Sequence, residues 1–297
     1  MYASTFRTVI VMKSNIPYLV LAMCLASGRT IASKKMSSAG QTKEDFFRSQ
    51  IILFLTAGLL VALMSIGQIQ SVSMITVIYG LIYGLLLVAS QWMLTLSLKE
   101  GNTSLCSTVY ALGFIIPTLS GAIIWDERFT VINGIGLAIA IVVVLWSAGK
   151  KTDTKGNRSA VPVYIYIAMI ASGGLGLMQK IQQSSQFANE KTAFFLIAFA
   201  FGSLCSLIAY LCCGKHTSIH GIEAMPIVTG LCFGGSNVCN TILAGRLPSA
   251  IFFPVQNIST ILLSTLLGML LFKEKMTRRS IVILVLGIFV IGLFSIS

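Results

Sequence analysis

The chain has 297 residues, of which 56% are hydrophobic and 10% charged, where a soluble domain carries roughly a quarter charged residues. That composition excludes an ordinary soluble fold. The formal net charge of +12 does not indicate nucleic acid as a partner, because the Lys and Arg lie mostly in short connections between apolar runs, where snorkelling and membrane topology account for them.

A bilayer core needs about 20 largely apolar residues per helix, and such runs recur along nearly the whole length. The pattern predicts an all-α polytopic membrane protein with ten spans. Five are expected at Ile16 to Lys34, Phe47 to Ile66, Val72 to Leu98, Thr103 to Ile124 and Phe129 to Gly149. Five more are expected at Val161 to Gln179, Thr192 to Cys213, Ile222 to Gly245, Ala250 to Phe272 and Thr277 to Ser297. Residues 1–15 precede the first span. There the apolar run Val9 to Met12 is too short for a secretory core, so the first span is expected to stay in the mature protein.

The seven cysteines, Cys24, Cys106, Cys205, Cys212, Cys213, Cys232 and Cys239, fall within or at the ends of spans and imply no disulfide framework. Cys212, Cys213, His216 and His220 lie close together in sequence, but their spacing matches no closed zinc site. Neither a metal nor a cofactor is expected.

The chain repeats itself at a shift of about 145 residues, the kind of internal duplication found in many transporters. Ile16 and Pro17 correspond to Val161 and Pro162, the triplet Ala26, Ser27, Gly28 to Ala171, Ser172, Gly173, and Lys35 to Lys180. Gly80 and Gly84 of the third span match Gly230 and Gly234 of the eighth, and each pair has the G-x-x-x-G spacing that lets helices approach closely. The last hairpins also align: Gly121 with Gly268, Glu127 with Glu274, Arg128 with Lys275, Thr130 with Thr277. The repeats are therefore 16–149 and 161–297, joined by the polar linker 150–160 that holds Asp153, Lys155, Gly156 and Asn157. Five crossings are an odd number, so the second repeat enters the membrane from the opposite side. Such inverted repeats are the physical basis of alternating access around a site near the midplane.

Two segments carry a family resemblance: Gly121, Ala122, Ile123, Ile124, Trp125, Asp126, Glu127, Arg128, and Gly268, Met269, Leu270, Leu271, Phe272, Lys273, Glu274, Lys275. A glycine several residues before a glutamate at a tight turn, followed by a glycine-containing helix, resembles the drug/metabolite transporter superfamily with EamA-type repeats. The resemblance covers the chain after about Asn15. It implies a ten-helix secondary transporter of a small-molecule substrate, among them amino acids, other metabolites, drugs or nucleotide sugars, and it implies cytoplasmic termini.

The polar residues refine this reading. Glu127 and Glu274 precede Thr130 and Thr277, so they are expected to favour the start of the next helix and to pair with Arg128 or Lys275. Glu44, Asp45, Glu100, Asp126, Asp153, Glu190 and Glu223 map to loops or span ends. No carboxylate stands at mid-depth, which disfavours proton-coupled antiport of small cations.

Polar stripes inside spans mark candidate cavity faces. Asn257, Thr260, Ser264 and Gly268 form one stripe of the ninth helix, with Tyr110, Gly113, Pro117 and Gly121 on the fourth. Phe233, Asn237, Asn240 and Ala244 form another on the eighth, and Tyr79 and Tyr83 share a face of the third. The expected substrate site comprises Arg29, Tyr79, Tyr83, Tyr110, Asn237, Asn240 and Asn257. Arg29 lies about 20 Å into the first span at 1.5 Å per residue. It either snorkels to the interface beside Lys34 and Lys35 or anchors a carboxylate or phosphate in a wet cavity.

No H-E-x-x-H and no serine-nucleophile motif occurs, so no catalytic residue is assigned and an enzyme is not expected; a non-transporting receptor or scaffold of the same fold is a further alternative. The expected function is movement of a small metabolite, such as an amino acid, across a plasma membrane, the inner membrane in a bacterium. Exchange of nucleotide sugars or phosphorylated metabolites is the alternative. The sequence leaves the oligomeric state open. Orientation is contested: about 15 Lys and Arg fall on the side of Lys35 and about 6 on the side of the termini, which by the positive-inside rule places the termini outside.

Overall fold

The computed structural model describes residues 2–37, 42–66, 72–100, 106, 109–147, 163–213, 224–272 and 278–296. Among them are ten α-helices: α1 (Tyr2–Ser37), α2 (Lys43–Met64), α3 (Met74–Glu100), α4 (Ile115–Ile124), α5 (Val131–Ser147), α6 (Val163–Ser184), α7 (Lys191–Cys212), α8 (Ala224–Arg246), α9 (Ser249–Phe272) and α10 (Arg278–Ile296). No strand occurs among the described residues. Stretches within α1, α2, α3, α7, α8 and α9 are long and apolar enough to cross a bilayer, the pattern of a polytopic membrane protein.

Shorter apolar helices cover Val109–Ile124, Val131–Trp146 and Leu284–Phe294. Helix α6 has 22 residues but ends in the polar run Gln179, Lys180, Ile181, Gln182, Gln183. Helix α1 begins at Tyr2 rather than near Ile16, since no glycine or proline precedes Pro17 to stop a helix. Helix α2 starts at a capping box. Thr42 Oγ1 accepts the Asp45 N–H, and the Asp45 carboxylate accepts the Thr42 N–H, reciprocally satisfying two orphan donors.

The described chain forms two compact units. One comprises Tyr18–Val88 with Ile181–Ile242, the other Met1–Pro17, Ala89–Lys180 and Leu243–Ser297. Each draws helices from both halves of the sequence.

In the first unit α2 packs on α7, the helix matched to it in the expected repeat. The contacts are reciprocal. A Cβ built on Gly58 would lie 3.6 Å from Phe199 Cβ, and one on Gly202 would lie 3.3 Å from the Phe54 ring, while the Phe54 and Phe199 rings stack with centroids 6.4 Å apart. Ser65 and Thr192 hydroxyls meet at 3.1 Å. Partner numbers fall along α7 as they rise along α2, so the two helices run antiparallel.

The two G-x-x-x-G pairs pack as their spacing predicts. Gly80 and Gly84 of α3 face α7, where an added Cβ would meet Ile197 Cγ2 at 2.8 Å and the Ala198 carbonyl oxygen at 2.7 Å. Gly230 and Gly234 of α8 face α2. A Cβ on Gly230 would collide with Thr56 Oγ1, and one on Gly234 would lie 3.0 Å from Ala57 Cα. Lipid supplies no hydrophobic drive for helix pairing, so van der Waals contact of this closeness is what holds such interfaces.

In the second unit α4 packs on α9 and α5 on α10, again pairs matched in the expected repeat. Gly121 lies against Ser249 while the Ala111 carbonyl accepts from Asn257, so α4 and α9 also run antiparallel. Helix α6 lies along α4, with Gly113 against Met169 and Ser172, and Gly176 against Pro117.

Candidate functional site

Three of the expected site residues meet around the middle of α8. The Tyr83 hydroxyl donates to Asn237 Oδ1 at 2.6 Å, and Asn237 Nδ2 donates to the Phe233 carbonyl one turn earlier at 2.8 Å. The Arg29 guanidinium carbon stands over the Phe233 ring, 4.2 Å from its centroid. Phe233 follows the start of the 23-residue helix by nine residues, about 14 Å along a helix about 35 Å long. Arg29 therefore brings its charge beside the middle of α8 rather than to the end of a span.

The ground beneath that charge is aromatic. Phe233 contacts Phe54 and Phe199 with centroids 6.3 and 5.8 Å apart. The row continues through Phe195 and Phe194 to Tyr83. Phe54, Phe194, Phe195 and Phe199 are fully buried, as is Tyr83. A rigid aromatic face attracts a guanidinium through its ring quadrupole, so this packing fixes Phe233 as a platform and the platform positions Arg29.

Asn240 lies on the same stripe of α8, three residues beyond Asn237. Its Oδ1 is buried without a hydrogen-bond partner, as are Thr241 Oγ1 beside it and Ser27 Oγ on α1. Buried polar atoms are nearly always satisfied, and those that are not call for an explanation such as a bound molecule or water. Tyr79 lies one turn before Tyr83 and is half-buried. Arg29 and Asn240 are half-buried too.

Tyr110 and Asn257 belong to the other unit. Tyr110 packs against an apolar cluster of Cys106, Ile165 and Ala168, and Asn257 Nδ2 donates to the Ala111 carbonyl at 3.4 Å.

The glutamate turn differs from expectation. Thr130 caps α5, its Oγ1 accepting the Asn133 N–H at 3.2 Å. Glu127, however, serves neither α5 nor Arg128. Its carboxylate accepts the Ser249 N–H at the start of α9 (2.6 Å) and pairs with Lys180 at the end of α6 (2.6 Å). The cause is local geometry. Asp126 takes a left-handed φ of 49°, Trp125 and Glu127 both donate their N–H to the Gly121 carbonyl, and Glu127 is thereby folded back across Gly121 towards α9. Only a residue without Cβ leaves room there, since a Cβ on Gly121 would strike the Glu127 carboxylate and Ser249. Glu274, Lys275 and Thr277 lie outside the described residues, as do His216, His220 and the linker.

Phe233, Lys180 and Ser249 were not singled out as site residues by the sequence. Phe233 shares the Asn237 stripe, and Lys180 was visible as the repeat mate of Lys35; Ser249 gave no signal. All seven cysteines are free thiols.

No protein-family profile and no curated protein sequence matches this chain. A solved structure described only as "Crystal structure of protein" superposes on it with a TM-score of 0.72 at 16% identity, over 95% of this chain and 96% of that one. At that identity the likeness carries the fold alone.

Proposed function

We propose that the chain is a secondary transporter that moves a small metabolite across the plasma membrane by alternating access of two inverted five-helix repeats. The observation that carries this reading is the pairing of repeat counterparts. Helix α2 packs antiparallel on α7 and α4 antiparallel on α9, with Gly58 and Gly202 each set against the other helix's phenylalanine. Reciprocal contact between equivalent elements is what a two-fold axis produces, and an axis relating antiparallel helices lies in the membrane plane, as inverted repeats require. Two such repeats can exchange conformations, opening the protein first to one side and then to the other.

Reconstitution into proteoliposomes tests the reading. Counterflow of a labelled solute is expected to saturate with concentration and to depend on the protein. If a broad panel of amino acids, organic acids, sugars and phosphate esters passed no faster than through protein-free vesicles, transport would be the wrong function.

A further inference from the structure

We infer that the Lys180–Glu127 pair is a releasable latch: α6 pivots on α4 at the Gly113–Gly173 contact, and the pair holds the end of α6 shut against the start of α9. This deepens the alternating-access reading and rests on it. Every part of the device belongs to one unit.

The pivot is a contact of bare backbones. A Cβ on Gly113 would lie 2.7 Å from the Met169 carbonyl oxygen, and one on Gly173 would meet the Gly113 carbonyl oxygen at 2.5 Å. With no side chain on either glycine to interlock, one helix can tilt on the other while the contact is kept. Lys180 stands seven residues beyond Gly173, about 10 Å along the helix, so a tilt of about 20° at the contact carries it about 3.5 Å. Directed away from Glu127, that displacement is enough to take the 2.6 Å pair out of hydrogen-bond reach.

The chemistry of the pair suits release. Removing two charges from water is costly, and their attraction in a dry junction does little more than repay it. Parting both partners into water together therefore loses little free energy, unlike removing one of them by mutation. The paired dry junction and the parted wet one lie close in free energy, as a two-state element requires. Each partner is also provided for once parted. Glu127 keeps the Ser249 N–H at the start of α9, and Lys180 is one turn from the last residue of α6, where its stem can snorkel to the interface.

The placement gives the latch a side. With ten spans, the α4–α5 turn, the end of α6 and the start of α9 are each reached after an even number of crossings. All three lie on the face of the membrane that carries the N-terminus, so the latch governs that face alone.

A cysteine at Ser120 reports the opening. Ser120 is buried, 6% exposed, and at i, i+3 and i+4 it shares a face with Pro117, which meets Gly176 of α6, and Gly121, which meets Ser249 of α9. Reaction of Ser120→Cys with a charged, membrane-impermeant methanethiosulfonate is followed in oriented vesicles, above the signal of the parent with its seven native thiols. The thiol is expected to react slowly from the N-terminal face and not from the other. In Lys180→Met the rate should rise about tenfold or more, and in Lys180→Arg it should stay within about threefold, because the pair is kept. Gly84→Ala, a packing change in the other unit, should leave the rate unchanged.

No acceleration in Lys180→Met, an equal acceleration in Gly84→Ala, or reaction from both faces would overturn the latch. Should Lys180→Met fail to fold, Ser120→Cys alone decides, since a thiol that reacts from neither face belongs to a static brace. The expected labelling pattern without counterflow of any solute in proteoliposomes would retain the latch and remove the transport reading. Counterflow with a Ser120→Cys thiol indifferent to Lys180→Met would do the reverse.

Discussion

Lys180 Nζ lies 2.6 Å from Glu127 Oε1 in a pair whose side chains are only 8% and 17% exposed, and the same carboxylate accepts the first N–H of α9. The pair ties the α4–α5 turn to the end of α6 and the start of α9. Its two halves are unequally supported. Glu127 retains the helix N-terminus if Lys180 is lost, whereas Lys180 without Glu127 keeps, among the described residues, a 3.5 Å contact to the Leu247 carbonyl and the Trp125 ring. Breaking a buried pair from one side costs about 3–5 kcal/mol. Glu127→Gln is therefore expected to fall in that range and Lys180→Met below it, with the double variant less destabilised than the sum. Denaturant titration in mixed micelles measures this, and strictly additive losses would mean the two side chains act independently.

Gly121→Ala is expected to dismantle the same junction from the other side. The new methyl has to displace the Glu127 carboxylate, the Ser249 side chain or the backbone between them, and overpacking of this kind costs about 1–3 kcal/mol. Because the damage runs through Glu127, Gly121→Ala and Glu127→Gln should be far from additive. A Gly121→Ala protein as stable as wild type would show that α4 and α9 do not meet as closely as this.

The helices were legible in the sequence because each is an apolar run bounded by charged or turn residues, and the expected boundaries of α2, α7 and α9 differ from the observed ones by a few residues at most. The capping box of Thr42 and Asp45 was not read from the sequence, although a T-x-x-D spacing before an apolar run is there to be seen. The G-x-x-x-G pairs were legible because spacing alone puts both glycines on one face. What they face was not. The partner of Glu127 could not be read because it depends on the left-handed turn at Asp126, which sends the carboxylate to a helix more than a hundred residues away. Tyr110 and Asn257 were chosen by stripe, and a stripe does not show which unit a residue joins.

Tyr83→Phe removes the hydroxyl that donates to Asn237 while keeping the ring among Phe194 and Phe195. Side-chain hydrogen bonds between membrane helices are worth about 0.6 kcal/mol on average and up to about 1.7, so a small loss of stability is expected. Asn237→Ala should cost more, since it also removes the bond to the Phe233 carbonyl. If Tyr83→Phe cost nothing and Asn237→Ala no more, the bond would contribute nothing to the α3–α8 interface.

The ten-span arrangement predicts both termini on the same side of the membrane. Contact directions within each unit fit it: α2 is antiparallel to α7, and α4 to α9, as alternate crossings require. Reporter fusions at the two ends should give matching signals, and they also decide between the charge bias, which puts the termini outside, and the family resemblance, which puts them in the cytoplasm. Opposite signals would sink the arrangement.

Alanine at the helix-contact glycines should separate close interfaces from open ones. At Gly292, where an added Cβ meets nothing within 4 Å, Gly→Ala is expected to be neutral or to stabilise by up to about 1 kcal/mol through helix propensity. Gly58→Ala, at 3.6 Å from Phe199 Cβ, makes ordinary contact and should be close to neutral. Gly84→Ala and Gly230→Ala meet backbone carbonyl oxygens at 2.7 and 2.5 Å, which cannot rotate away, so each is expected to lose about 1–3 kcal/mol. At Gly230 the Thr56 hydroxyl is a second obstacle, held in place by its bonds to the Ile52 and Leu53 carbonyls. Thr56→Ala in the Gly230→Ala background should therefore restore part of the loss and not all of it, because the Leu53 carbonyl remains. Wild-type stability in Gly230→Ala, read by denaturant titration, would mean that this face of α8 meets lipid instead of α2.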